Sequence, residues 1–144
     1  MRHLQDIEGN ISTVIQANQL GTADAVKSAM HNTTSDGTIL VLYGDVPLVS
    51  EKSLQALIDK SENGFSILTT HLDDPFGYGR VITDTNNFAT AIVEEKDASD
   101  DEKLINEIFT GILCINQKLL AAGLQEVTNN NAAKEFYLSL IHIS

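Results

Sequence analysis

Tyr43-Gly44-Asp45-Val46-Pro47 follows the apolar run Thr38-Ile39-Leu40-Val41-Leu42, and this string is the one best suited to chemistry. A continuous Ile/Leu/Val run ended by turn residues reads as a buried strand of a parallel sheet. Gly44 has no Cβ, so a ligand can approach the backbone closely. Asp45 then stands at the carboxyl end of the strand, where ligands bind in open α/β sheets. A carboxylate there suits a magnesium ion carrying nucleotide phosphates. The same string also reads as a plain turn in which Asp45 caps the next helix.

Four more segments hold residue types that a nucleotide-sugar site needs. In Gln16-Ala17-Asn18-Gln19-Leu20-Gly21-Thr22, the Gln16 amide offers a donor and an acceptor that can read a base edge. Gly21 and Thr22 put backbone N–H groups and a hydroxyl at a helix N-terminus; Thr22 as an ordinary N-cap is the alternative. Asp73-Asp74-Pro75-Phe76-Gly77-Tyr78-Gly79-Arg80 brings glycines, an aromatic ring and a cation together, although Pro/Gly turns produce similar strings. In Ile92-Val93-Glu94-Glu95-Lys96-Asp97, Glu94 ends an apolar strand and can accept hydrogen bonds from sugar hydroxyls, or simply begin a solvated turn. Glu107-Ile108-Phe109-Thr110-Gly111-Ile112 is a strand whose glycine can lie under a sugar.

The elements that must position these residues alternate along the chain. Thr22–Met30 reads as a helix with Ala23, Val26, Ala29 and Met30 on one face. Thr38–Tyr43 is a strand. Ser50 is the N-cap of a helix with Leu54, Leu57 and Ile58 on one face. Phe65–Thr70 is a second strand after an Asn63-Gly64 turn. Strand, helix, strand predicts a right-handed crossover between parallel neighbours. Val81–Thr83 and Phe88–Val93 flank the turn cluster Asp84–Asn87 and predict a hairpin. Asp97–Asn106 reads as a polar loop anchored by Ala98, Leu104 and Ile105. Ile108–Ile115 is a further strand, and Asn116 caps a helix to about Thr128 with Leu119, Leu120, Leu124 and Val127 inward.

The chain has 144 residues, which suits one domain able to bury roughly 68–70% of its unfolded surface. Its formal net charge is −11, from 20 acidic and 9 basic residues. Such a chain repels phosphate backbones, which argues against nucleic-acid binding. A nucleotide remains admissible because a metal and backbone N–H groups can carry the charge locally. Cys114 reads as a small buried hydrophobe, and His3, His31, His71 and His142 lack metal-ligand spacing. No signal peptide and no apolar run near 18 residues is visible, so a soluble cytoplasmic protein without membrane contact is expected.

Taken in order, the strings Gln-x-x-Gln-Leu-Gly-Thr, Tyr-Gly-Asp-Val-Pro-Leu, Gly-Tyr-Gly-Arg-Val, Ile-Val-Glu-x-Lys-Asp-Ala, Glu-Ile-x-Thr-Gly-Ile and Thr-Asn-Asn-Asn-Ala run through nearly the whole chain. From about Leu4 to Leu138 this resembles the uridylyltransferase domain of the bacterial bifunctional N-acetylglucosamine-1-phosphate uridylyltransferase / glucosamine-1-phosphate acetyltransferase family. The resemblance implies a Rossmann-like α/β nucleotidyltransferase fold of the nucleotide-diphospho-sugar transferase type. It implies transfer of a uridylyl group from UTP to N-acetylglucosamine 1-phosphate, with Mg2+ as cofactor, for cell-wall synthesis. By the same resemblance Gln16, Gly21 and Thr22 hold the uracil. Tyr43, Gly44 and Asp45 line the nucleotide site, Asp45 serving as catalytic metal ligand, and Gly79 and Glu94 contact the sugar.

Several departures from the family pattern accompany these matches. The family's opening glycine-rich loop, with its arginine and lysine, has no counterpart here; nor has its later metal-binding asparagine or its acetyltransferase domain, through which family members are expected to oligomerise. The chain therefore reads as a domain truncated at both ends, with 1–138 as partial nucleotidyltransferase and 139–144 as a departing tail. Position 109, an asparagine facing the sugar in the family, is Phe109, whose side chain can neither donate nor accept a hydrogen bond. The expectation is an inactive or weakly active chain; another sugar-nucleotide pyrophosphorylase and a non-catalytic remnant are the alternatives.

Overall fold

The computed structural model describes residues 11–30, 33, 36–61 and 64–140. Among these residues, three α-helices and five strands order as α1 (Thr22–Met30), β1 (Thr38–Val41), α2 (Glu51–Lys60), β2 (Phe65–His71), β3 (Arg80–Thr83), β4 (Ala89–Val93), β5 (Glu107–Asn116) and α3 (Gln117–Glu126). Short 3-10 turns occupy Glu102–Leu104 and Leu138–Leu140. His3, His31, His142 and Asn63 lie outside the described residues.

Local chemistry sets the boundaries. The Ser50 hydroxyl accepts from the Ser53 amide at 3.1 Å and starts α2, while the Asn116 side-chain oxygen Oδ1 accepts from the Lys118 amide at 2.9 Å and starts α3. Between β3 and β4, one Asp84 oxygen accepts from the Asn86 and Phe88 amides at 2.8 and 2.9 Å, and Asn87 takes the left-handed conformation at φ 63°. The expected hairpin is therefore built around an aspartate that replaces a backbone acceptor.

The sheet corrects one expectation. β1 and β2 run in the same direction but are not neighbours. β5 lies between them, antiparallel to both: Ile39 and Phe65 each face Ile115, and Val41 and Ile67 each face Leu113. Every ladder among the described strands is antiparallel. β1 lies at the sheet edge and is half-buried rather than buried, with Leu42 beyond it 51% exposed; its apolar run carries no information about which strand lies alongside.

Alternation along the strands feeds two cores. Ile39, Val41, Phe65, Ile67, Leu113 and Ile115 pack with α1 and α3 through Ala23, Leu120 and Leu124. Leu40, Leu68, Ile112 and Cys114 point the other way, onto Leu54 and Leu57 of α2. Helices thus cover both faces of an open sheet, in a mixed α/β fold. Four residues expected to face inward are exposed: Ala29, Ile58 and Leu119 on the three helices, and Leu104 in the 3-10 turn Glu102–Leu104. No helix among the described residues is long and apolar enough to cross a membrane.

Candidate functional site

β5 carries the site because two strands share one of its edges and separate in the middle. β1 pairs with Leu113–Asn116, and β3 meets the same edge only where Arg80 faces Ile108. On the opposite edge the register with β2 shifts between Ile67 and Thr69, so β5 bulges across Thr110–Ile112. Gly111 sits in the bulge at φ 83°, and a Cβ there would lie 2.6 Å from Cε2 of Tyr43. The Tyr43 ring therefore lies directly on the β5 backbone, in the gap between β1 and β3. Thr110 anchors the bulge by donating its hydroxyl to the Leu68 carbonyl at 2.7 Å.

A cleft of about 370 Å³ opens over this gap. One wall is Thr22, at the start of α1, with Tyr43, Asp45 and Val46 from the turn after β1. The facing wall is the Gly77–Gly79 turn and Glu94, where β4 ends. Phe109, Thr110 and Gly111 form the floor, and Tyr137 and Ser139 close one end. Five residues singled out from the sequence, Thr22, Tyr43, Asp45, Gly79 and Glu94, thus reach one cleft from separate segments. Gln16, Gly21 and Gly44 do not line it. Gln16 donates through Nε2 to the Gly21 carbonyl at 3.2 Å and to Asp24 at 2.6 Å, which organises the approach to α1. Gly44 borders an adjoining hollow with Leu42, Pro47 and Leu54.

Gly21 has a different task, visible in its surroundings. At φ 121° it lies against the backbone of Phe136, where a Cβ would come within 2.8 Å of the Phe136 nitrogen. This close approach lets Phe136 N–H donate to the Leu20 carbonyl at 2.8 Å and Ala23 N–H donate to the Phe136 carbonyl at 2.9 Å. Leu138 N–H then donates to the Thr22 hydroxyl at 2.9 Å. The segment so fastened delivers Ser139, whose hydroxyl donates to Glu94 Oε1 at 2.5 Å. Tyr137 and Ser139 were not among the expected site residues, because nothing near the chain end marks it as returning to the start of α1. Asn131 explains part of that return: its side chain brackets the backbone of Glu135, while the Ala132 amide donates to Asp97 at 3.0 Å.

Burial pushes the Tyr43 phenol above its ordinary pKa, the nearby Glu94 and Asp45 carboxylates add to this, and a hydrogen bond from Thr22 opposes it. Burial also raises Tyr137, with Glu135, Glu94 and Asp97 in support. Both rings stay neutral at ordinary pH. No lysine or arginine lines the cleft among the described residues. Arg80, the cation expected beside the ligand, is instead buried and bonded to Glu95 at 2.7 Å. A cleft with two carboxylates and several aromatic rings can hold hydroxyls and flat rings, but phosphates need a cation. No group of three or more His, Cys, Asp or Glu could cage a metal among the described residues. Asp45, exposed at the cleft, fits the alternative of a hydrated divalent cation held by a single carboxylate.

Known proteins resemble this chain in sequence and in fold. A profile described as nucleotidyl transferase matches residues 1–142. The bifunctional protein GlmU of Alkaliphilus metalliredigens is 45% identical over 132 residues, 90% of this chain and 29% of that protein. GlmU of Psychrobacter cryohalolentis is 46% identical over 129 residues, 90% of this chain and 28% of that protein. The chain thus spans under a third of the length of these curated relatives. Among solved structures, a UDP-glucose pyrophosphorylase complexed with UDP-glucose superposes with a TM-score of 0.66 at 16% identity, over 90% of this chain and 52% of the other. HddC from Yersinia pseudotuberculosis gives 0.65 at 20% identity, over 96% and 56%.

Proposed function

Since this chain belongs to the nucleotidyl transferase family, we propose that its cleft is the nucleotide-sugar site of a uridylyltransferase that joins UTP and N-acetylglucosamine 1-phosphate into UDP-N-acetylglucosamine and pyrophosphate. The observation that carries the reading is the meeting of Thr22, Tyr43, Asp45, Gly79 and Glu94 in one cleft. A phosphate oxygen of the sugar phosphate attacks the α-phosphorus of UTP, and the bond to the β-phosphate breaks. Such transfer depends mainly on positioning and charge neutralisation. Asp45 would hold the Mg2+ that supplies that neutralisation. Glu94 accepts from sugar hydroxyls in place of Ser139, Gly79 leaves room for the sugar beside it, and Tyr43 and Thr22 face the nucleoside. Gln16 and Gly21 act on the uracil at one remove, by shaping the loop before α1. The nucleotide substrate puts the reaction in the cytoplasm.

Because no cationic side chain lines the cleft among the described residues, this chain is expected to turn over slowly, about a hundredfold or more below a full-length relative. Binding is therefore the sharper assay. Calorimetry with UDP-N-acetylglucosamine should give Mg2+-dependent binding that Asp45→Asn weakens at least tenfold. Equal affinity for the variant and the parent, or the absence of any Mg2+ dependence, would overturn the reading.

Phe109 favours one variation on this reading. It lines the cleft without a hydrogen-bonding group, and so makes no polar demand on the sugar. If UDP-glucose binds more tightly than UDP-N-acetylglucosamine, the chain serves a different sugar-nucleotide pyrophosphorylase.

A further inference from the structure

We infer that Arg80 and Glu95 are a positioning pair which fixes the sugar half of the cleft by holding the Gly77–Gly79 turn against Glu94. The inference rests on the nucleotide-sugar reading above. The Arg80 guanidinium is 2% exposed. It donates through Nη1 to the Tyr78 carbonyl and through Nη2 to Glu95 Oε2 at 2.7 Å. The same Glu95 oxygen accepts from the Gly77 amide at 3.2 Å. One guanidinium and one carboxylate oxygen thereby grip both a donor and an acceptor of the turn. Glu95 directly follows Glu94, so the grip is anchored at the residue that faces the sugar.

The fit between the two walls is tight. A Cβ on Gly79 would lie 3.0 Å from Ile92 Cγ2 and 3.4 Å from both Glu94 carboxylate oxygens. A small drift of the turn would change the space beside Glu94. The turn has freedom to drift, since Gly77 sits at φ 87° in open surroundings and Phe76 is 75% exposed. Stability alone is a poor account of the pair. Burying an ion pair is often no better than burying apolar residues, and Arg80 Nε is left without a partner among the described residues. An apolar pair could fill the space, but it could not hold the Gly77 amide and the Tyr78 carbonyl. The Arg80 hydrogen bond also keeps the Glu95 carboxyl below the usual carboxylate range, with the Gly77 amide as a smaller contributor, so it is charged wherever the pair acts.

The test compares affinities for UDP and UDP-N-acetylglucosamine, with Mg2+, in the parent chain, Glu95→Asp and Glu95→Gln. Glu95→Asp keeps the charge but withdraws the oxygen by one methylene. Glu95→Gln keeps the reach and an acceptor. Positioning requires that Glu95→Asp lose about tenfold in UDP-N-acetylglucosamine affinity and under twofold for UDP, with faster hydrogen exchange at the Gly77 amide. Glu95→Gln should stay within about threefold on both. An unchanged ratio of the two affinities in Glu95→Asp overturns the positioning role alone, and so does unchanged Gly77 exchange. A parent chain that binds neither ligand overturns the nucleotide-sugar reading and this inference with it.

Discussion

Replacing Gly111 by alanine tests the arrangement from which the cleft is built. Two costs follow from the geometry. Alanine at φ 83° occupies the left-handed region, at about 1–2 kcal/mol. Its methyl would stand 2.6 Å from Cε2 and 2.8 Å from Cδ2 of Tyr43, so the ring or the strand must move. Overpacking of that kind typically costs about 1–3 kcal/mol. Together these give about 2–5 kcal/mol, a large share of a domain stability of roughly 5–15 kcal/mol. With a urea m-value of about 1–3 kcal/mol/M, the midpoint should fall on the order of 1–2 M. Gly37→Ala is the control, because a Cβ there meets nothing within 4 Å and the backbone is not left-handed. A Gly111→Ala midpoint no lower than that of Gly37→Ala, at equal m, would refute the view that the bulge and the Tyr43 ring need a glycine.

Gly21→Ala should detach the segment that closes the cleft, because a Cβ there meets the Phe136 backbone; amide exchange at Ala23 and Leu138 should accelerate at least tenfold, and unchanged protection would contradict the docking. Asn116→Ala removes the cap that satisfies the Lys118 and Leu119 amides, and thermal unfolding should report a loss of about 1 kcal/mol, with no loss meaning that the cap is redundant. Because burial raises the Tyr43 pKa, the folded state keeps its proton above pH 10.0 while the unfolded chain loses it, so stability should begin to fall as pH rises past 10.0. Tyr43→Phe should flatten that fall above pH 10.0, and urea midpoints with the same slope in both proteins would count against the burial.

Features governed by neighbours in sequence were legible before the structure. Ser50 and Asn116 cap the helices expected of them, and Asp84–Asn87 closes the hairpin, because caps and turns are satisfied within a few residues. Motif order brought Thr22, Tyr43, Asp45, Gly79 and Glu94 into view, and they do share a cleft. Partnerships across the chain were not legible. Nothing local says that β5 separates β1 from β2, since any buried strand with the right alternation would satisfy either. Arg80 shows the same limit for charge: its type suits a phosphate, yet Glu95 claims it. Ser139 was read as part of a tail and lies against Glu94, because its place depends on a backbone contact at Gly21.

β5 also has a consequence for synthesis on the ribosome. Its residues Leu113 and Ile115 are paired on both sides at once, with β1 and with β2, although it emerges last of the five strands. Until Glu107–Asn116 has left the exit tunnel, β1 and β2 have no ladder partner among the described residues. They must wait with their hydrogen-bonding edges unpaired. Contacts this distant in sequence close slowly, and unpaired edges of Ile, Leu and Val are the surfaces on which nascent chains aggregate. The chain should therefore acquire protease resistance abruptly and late, when a single strand slots between two that preceded it, and a holdase that shields apolar strands would serve it best in the interval before.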